Sequence, residues 1–172
     1  MYQKENKKNK RKGGNIKMAR LMNQDRCPYP APVSIVCDQD LERGLFLEIK
    51  GMAKNNLWLD DANDFEAYQV ALATESTARG DLLIHSSVPF SYDERDMEQD
   101  FVLKAGSVGR GHYIKSGDEI TIAKDLVGEI QAEDEVVLGE NGKLAKGTGN
   151  ALGIVKKVYD FNGQESVLIR FY

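Results

Sequence analysis

Residue types that usually carry chemistry are scarce in this chain. Its 172 residues include two cysteines, two histidines and one tryptophan. Cys27 and Cys37 allow a disulfide, but two isolated cysteines are more often small buried residues. The two cysteines also make a poor metal-ligand set, because both histidines are distant from them in sequence. We therefore expect no metal, no cofactor and no enzymatic activity.

Long apolar runs are also missing. No stretch approaches the roughly 20 residues of a membrane-spanning helix. The N-terminus is too basic, and lacks the apolar central region, for a secretory signal peptide. Hydrophobic residues make up 41% and charged residues 29% of the chain, as in ordinary globular proteins. The sequence thus predicts a globular protein without a membrane partner.

The charge is divided unevenly along the chain. Residues 1–20 hold eight Lys/Arg and one Glu, a net +7, while the rest hold fifteen Lys/Arg and twenty-six Asp/Glu, a net −11. A Lys-rich stretch with almost no apolar residue is typical of a disordered arm. It is either a solvated tail or an anchor for an acidic surface, another subunit or nucleic acid. The candidate contact residues in this arm are Lys7, Lys8, Lys10, Arg11 and Lys12.

A further hypothesis concerns the start of the arm. The codons of residues 11–14 can form a purine-rich run of the kind that binds bacterial ribosomes, and Met18 follows a few codons later. Residues 1–17 are then a leader assigned in error, and the natural product starts at Met18. The intact mass of that product distinguishes the two starts.

The remainder, residues 21–172, is expected to form one β domain. Short apolar segments separated by turn residues every 8–12 positions are typical of an all-β sandwich or barrel of short antiparallel strands. A loose internal similarity suggests two related units, at about 28–90 and 104–172. Strands are predicted at 33–37, 45–50, 67–74, 80–88, 108–115, 118–124, 136–138, 151–155 and 166–172.

The last 38 residues carry the strongest topological signal. The dipeptides Asn141-Gly142 and Asn162-Gly163 are typical of tight hairpin turns, because both residues tolerate positive φ. With the Gly-rich segment 147–150 between them, they predict a four-stranded meander from residue 135 to the C-terminus.

Other segments receive structural interpretations. Residues 91–103 are the one helix candidate, short and acidic at its start, so its carboxylates at 93–96 are expected to be solvated. The acidic run 60–64 lacks the glycine and distal Glu of a calcium loop. His85 is expected at a half-exposed strand position. Gly109 and Gly111, which flank Arg110 ahead of His112, predict a bulged strand rather than a phosphate loop.

Seven segments of the chain form a recognisable pattern: Tyr-Gln-Val-Ala-Leu-Ala-Thr at 68–74, Gly-Asp-Leu-Leu-Ile at 80–84, Tyr-Asp-Glu at 92–94, Asp-Phe-Val-Leu-Lys-Ala-Gly at 100–106, Gly-Arg-Gly-His-Tyr-Ile at 109–114, Gly-Asp-Glu-Ile-Thr-Ile at 117–122, and the closing segment from 135. With these segments the chain resembles a family of structural proteins of tailed bacteriophages, over roughly residues 30–172. It departs from the family in the basic arm and at Gly109, where the family often has Ala or Pro, so the role of the arm does not follow from the resemblance.

This resemblance implies a capsid decoration, or cement, protein. Such a protein binds the major capsid protein on the virion surface and stabilises the shell by mass action. It further implies a homo-oligomer, with a trimer favoured, and Arg110 joins the arm as a candidate contact. The alternative is a nucleic-acid-binding β-barrel module that uses the arm, with Tyr113 and Phe171 as stacking platforms. A hydrolase or lyase with a site assembled from loops is a third possibility.

Overall fold

The computed structural model describes residues 22–27, 32–53, 67–88, 101–161 and 163–172. These residues form an all-β fold, as predicted, and three 3-10 turns are their only helical segments. The strands are β1 Met22–Arg26, β2 Pro32–Cys37, β3 Leu41–Glu42, β4 Phe46–Met52, β5 Ala67–Leu72, β6 Leu82–His85, β7 Val102–Leu103, β8 Val108–Tyr113, β9 Glu119–Ala123, β10 Glu135–Leu138, β11 Leu144–Lys146, β12 Gly153–Phe161 and β13 Gln164–Phe171.

Five of the strands close into a small barrel in the order β2-β5-β4-β6-β8. The β2–β5 pair is parallel and the other four pairs are antiparallel. The interior is apolar, which follows from the alternation of each strand. Its buried residues are Ile35, Cys37, Leu47, Val70 and Leu83.

A two-stranded ribbon, β3 with β7, lies against one end of this barrel. Leu41 pairs with Leu103 across the ribbon, and both side chains join the barrel core. β2 and β6 end, and β4 and β8 begin, on this side of the barrel. The ribbon therefore covers the barrel where its interior would otherwise meet solvent.

The remaining strands form a six-stranded antiparallel sheet in the order β1-β9-β13-β12-β10-β11. One face packs on the outer face of β4 and β6, and the two sheets share a single apolar cluster. Phe46 of β4 and Phe171 of β13 meet there, with ring centroids 6.1 Å apart. β4 is buried on both faces near its start.

The closing segment contains the two predicted hairpins but is not a meander. Asn141 and Gly142 both have positive φ, 56° and 69°, and connect β10 to β11. Phe161 pairs with Gln164 around the second turn, of which only Asn162 lies outside the described residues. However, β12 pairs with β10 rather than with β11. The segment after β11, with Asn150 at φ 54°, carries the chain across to the other side of β10.

The predicted bulge at the glycines of β8 is also wrong. The ladder from β8 to β2 is regular from Val108 to His112. Both glycines face the barrel interior, where a Cβ on Gly109 would lie 2.3 Å from Leu103 Cδ2 and one on Gly111 would lie 3.2 Å from Ile35 Cγ2. The glycines therefore make room inside a narrow barrel, and the bulges lie in β1, β4 and β12.

Three sequence predictions fall partly or wholly beyond the described residues. Most of the helix candidate at 91–103 lies outside the described residues, and its last two residues form strand β7. The acidic runs 60–64 and 93–96 lie outside as well. Four barrel strands come from the predicted unit 28–90, and the fifth, β8, comes from the predicted unit 104–172. The predicted similarity between these two units stays a prediction. No disulfide joins Cys27 to Cys37, and Cys37 is buried in the barrel.

Candidate functional site

The candidate contact residues fall into two groups. Lys7, Lys8, Lys10, Arg11 and Lys12 lie outside the described residues. Arg110 lies in the middle of β8 and is exposed on the outer face of the barrel. Of the six candidates, the structure therefore positions one.

Arg110 is the cationic centre of a small surface on β2 and β8. Val108 lies two residues before it on the same face and is 43% exposed. Across the ladder, Arg110 pairs with Ser34, and exposed Pro32 pairs with His112. We call these five residues the barrel patch. It combines a guanidinium with exposed apolar surface, a composition common in protein interfaces.

The backbone beneath the patch is held firmly. The Arg110 N–H donates to Ser87 Oγ at 2.8 Å, and its carbonyl accepts the Ser86 N–H at 2.9 Å. The strand also belongs to a closed barrel, which has no open edge. Partner contacts made by Val108 and Arg110 would therefore cost little backbone ordering.

His85 is fully buried beneath this region, not half-exposed as the sequence suggested. Its Nδ1 lies 2.7 Å from the Glu42 carbonyl oxygen, and its Nε2 lies 2.8 Å from Ser87 Oγ. Because a carbonyl only accepts, Nδ1 carries the proton and Nε2 accepts from the serine hydroxyl. Burial lowers the pKa of His85 from 6.5 to about 4, so the ring is neutral at pH 7.

A second serine–histidine pair lies on the outside of the barrel. Ser86 Oγ is hydrogen-bonded to Nδ1 of His112, which is half-buried. Burial, and then the charge of Arg110, lower the pKa of His112. The two pairs connect the end of β6 to β3, through the Glu42 carbonyl, and to β8, through His112.

The His85–Ser87 pair has the atoms of a base and a nucleophile but no access for a substrate. His85 is 0% and Ser87 is 4% exposed. The space beside them is filled, because a Cβ on Gly109 would lie 2.6 Å from Ser87 Oγ. We therefore interpret this pair as structural.

The two stacking residues of the nucleic-acid alternative differ in exposure. Phe171 is 2% exposed and packs on Phe46 in the cluster between barrel and sheet. Tyr113 is half-buried and packs on the barrel core. Phe171 therefore cannot stack on a base, because base stacking needs an exposed aromatic face, and its proposed role is wrong. The role of Tyr113 stays a prediction.

A groove that sequence reasoning missed runs between the turn after β5 and the crossing segment before β12. Its volume is about 670 Å³. Its lining combines buried Leu138 and Leu152 with polar side chains. The turn on one side is held by a hydrogen bond from the Thr74 N–H to Thr77 Oγ1. The signals in the sequence that could have indicated this groove are the turn residues at 74–77 and the Gly-rich run 147–150. Its lining residues are Glu75, Ser76, Thr77, Arg79, Val137, Leu138, Gly149, Asn150, Ala151 and Leu152.

The six-stranded sheet presents its second face away from the barrel. On it, Tyr159 shares a hydrogen bond of 2.9 Å with Thr121 Oγ1, and Lys157 Nζ lies 4.6 Å from the Tyr159 ring centroid. Phe161 meets the same ring edge-on. This aromatic strip, like the groove, lies outside the predicted set of contact residues.

The described part of the chain contains neither a cluster of metal-binding side chains nor a membrane-spanning helix. Within it, no three His, Cys, Asp or Glu side chains are grouped to hold a metal ion. Within the same residues, no helix has the length and apolar character needed to cross a membrane.

No model of a known protein family matches the chain, and no curated protein matches it. Among solved structures, the chain is similar to the N base of the head fiber gp8.5 of bacteriophage phi29. The TM-score is 0.43 with 9% sequence identity, over 84% of this chain and 98% of that chain. A likeness of this size assigns neither a family nor a function.

Proposed function

We propose that this chain is a non-enzymatic structural protein of a tailed-bacteriophage virion that binds the capsid shell. The observation that carries the proposal is the barrel patch. Val108 and Arg110 project from β8, a strand of a closed barrel. All of this strand except Val108 falls in the 109–114 segment, in which the sequence resembles phage structural proteins. Its partner in this proposal is the major capsid protein.

The barrel holds the Val108 and Arg110 backbone in place before any partner binds. A protein that binds only the assembled shell stabilises that shell by its binding free energy. The stabilisation therefore depends on the affinity and the concentration of the bound protein. An exposed apolar side chain and a cation on an already ordered strand lose little entropy on binding. The body of the chain is acidic overall, so Arg110 offers a local attraction within a surface that otherwise repels acidic partners.

Binding to purified shells tests this proposal. Shells of the phage that encodes the chain are mixed with purified protein and sedimented, and the bound fraction is measured against protein concentration. Arg110→Glu is expected to weaken binding at least about tenfold, since it places a repelling charge at the centre of the patch. Lys156→Glu, an equal charge reversal at an exposed position of β12, is the matched control and is expected to bind normally.

Two failures have different meanings. Wild-type protein that does not bind shells contradicts the proposed function. Normal binding by the Arg110→Glu variant contradicts only the role of the barrel patch and directs attention to the groove or the aromatic strip.

Two further parts of the proposal concern assembly and the arm. A trimer is proposed from the resemblance alone, and sedimentation equilibrium of the purified chain tests it. Nucleic acid contact, if present, belongs to Lys7–Lys12, and DNA binding that persists after deletion of residues 1–17 contradicts that assignment.

A further inference from the structure

His85 joins three elements around the covered end of the barrel. It ends β6, donates through Nδ1 to the carbonyl of Glu42 in β3, and accepts through Nε2 from Ser87, which also binds the Arg110 N–H of β8. The Glu42 carbonyl belongs to the β3–β7 ribbon that covers the barrel core. The ring therefore connects the ribbon to the barrel wall.

The neutral ring satisfies every group in this network. Protonation of Nε2 would require it to donate to Ser87 Oγ, and the serine hydroxyl would have to turn elsewhere. The Arg110 carbonyl is a second acceptor for this hydroxyl, but at 3.5 Å it is too distant for a good hydrogen bond. The imidazolium would also be buried without a counter-charge among these partners, which carries a large desolvation cost.

The charged groups around the ring do not offset this cost. Arg43, next to Glu42, opposes a positive charge on His85. β8 contributes Arg110 and His112, and neither is an anion. On the ribbon side, Asp40 is engaged with Lys104 Nζ at 2.8 Å and with the Ala105 N–H at 3.0 Å. The hydrogen bonds from Lys104 and Ala105 lower the pKa of Asp40 from 3.8, so this ion pair persists in mild acid.

We propose that His85 is an acid-sensitive latch that holds the β3–β7 ribbon over the end of the barrel. Above pH 6.5 the neutral ring keeps the ribbon closed. In mild acid, His85 can bind a proton when the ribbon lifts and exposes the ring to water, but not when the ribbon is closed. Acid therefore shifts the equilibrium towards the open state. Opening would uncover Leu41, Leu103 and the barrel interior, and would thereby create an apolar surface that the closed protein lacks.

The size of the effect follows from the pKa difference. With a pKa of about 4 when closed and 6.5 when solvated, the opening equilibrium rises about thirtyfold between pH 8 and pH 5. Because the closed state has the lower pKa, the closed state is favoured at high pH, and the latch weakens as the pH falls from 6.5 towards 4.

Hydrogen exchange measured by mass spectrometry tests the latch. Amides of β3 and β7 are followed from pH 8 to pH 5, with the intrinsic pH dependence of exchange removed. Wild-type protein is expected to show the thirtyfold rise in opening, and His85→Asn, which keeps a donor for Glu42 but cannot titrate, is expected to show a pH-independent opening. His112→Asn is the matched control and should keep the wild-type profile.

A flat wild-type profile overturns the proposal, as does a rise that His112→Asn abolishes and His85→Asn retains. If the His85→Asn variant does not fold, the ring of His85 is titrated by NMR in the wild-type protein. A midpoint near 4 supports the latch, and a midpoint near 6.5 overturns it.

Discussion

Glycine sets the dimensions of this fold at two kinds of position. Inside the barrel, Gly109 and Gly111 leave room for the side chains of Leu103, Ile35 and Leu83. In the turn between β10 and β11, Gly142 has φ +69°, and a Cβ there would lie 2.5 Å from the Phe46 carbonyl oxygen. The turn therefore packs directly on the backbone of the barrel.

Gly142→Ala is expected to lower the free energy of unfolding by at least about 2 kcal/mol, because the new methyl group meets both an unfavourable φ and a backbone oxygen. Urea denaturation at pH 7.5 measures the change. Gly80→Ala is the control, since nothing lies within 4 Å of its Cβ position. It should change the stability by less than about 0.5 kcal/mol. Equal midpoints for the two variants would contradict the packing described here.

His85 makes the stability of the whole domain depend on pH. Its pKa is about 4 in the folded state against 6.5 in the unfolded chain, so the unfolded state binds protons first as the pH falls. The resulting stability is fully present above pH 6.5 and is lost progressively towards pH 4. Between pH 7.5 and pH 5, the loss from this residue is about 2 kcal/mol.

Urea denaturation at the two pH values checks this expectation by comparing wild type with His85→Asn. The variant starts from a lower stability but should lose less of it on acidification. A wild-type stability that is unchanged at pH 5 would show that the burial of His85 has no thermodynamic consequence.

At the scale of elements, the apolar alternation of the sequence predicted most strands because it reports burial directly. The predicted segment 33–37 became Pro32–Cys37, and 108–115 became Val108–Tyr113. Pairing partners were not predictable in the same way. The position of β12 beside β10 depends on how the crossing segment 147–152 packs, and no local pattern specifies that.

The candidate site was predictable only in part, for a similar reason. Arg110 was found because its segment carries the family resemblance. Exposed Val108 was not, since an apolar residue in a strand normally indicates burial. His85 was misjudged because its burial depends on the Glu42 carbonyl, which comes from an element 43 residues away in sequence. The groove was missed because its two walls come from separate turns.

Cohesion between the barrel and the six-stranded sheet depends on a few large side chains. Phe171→Ala is expected to cost about 3–5 kcal/mol, because it leaves a cavity beside Phe46 in the shared cluster. Tyr172→Ala is the control at the next residue, where the side chain is 41% exposed, and should cost less than about 1 kcal/mol. Thermal unfolding distinguishes them, and a small effect of Phe171→Ala would contradict the packing of barrel on sheet.

At the scale of the whole molecule, the chain combines two apolar cores with an acidic body and a basic N-terminal segment. The described surfaces offer the barrel patch, the groove and the aromatic strip, and each suits contact with another macromolecule. The proposed function depends on one of them, the barrel patch, being directed towards a capsid.

Electron microscopy of purified virions tests this account most directly. The chain is labelled at its C-terminus, Tyr172, and reconstructions are calculated for particles with and without it. We predict density on the outside of the shell, with the β2–β8 side of the barrel facing the major capsid protein. Virions that lack the chain altogether, or that carry it with this side turned to solvent, would contradict the account.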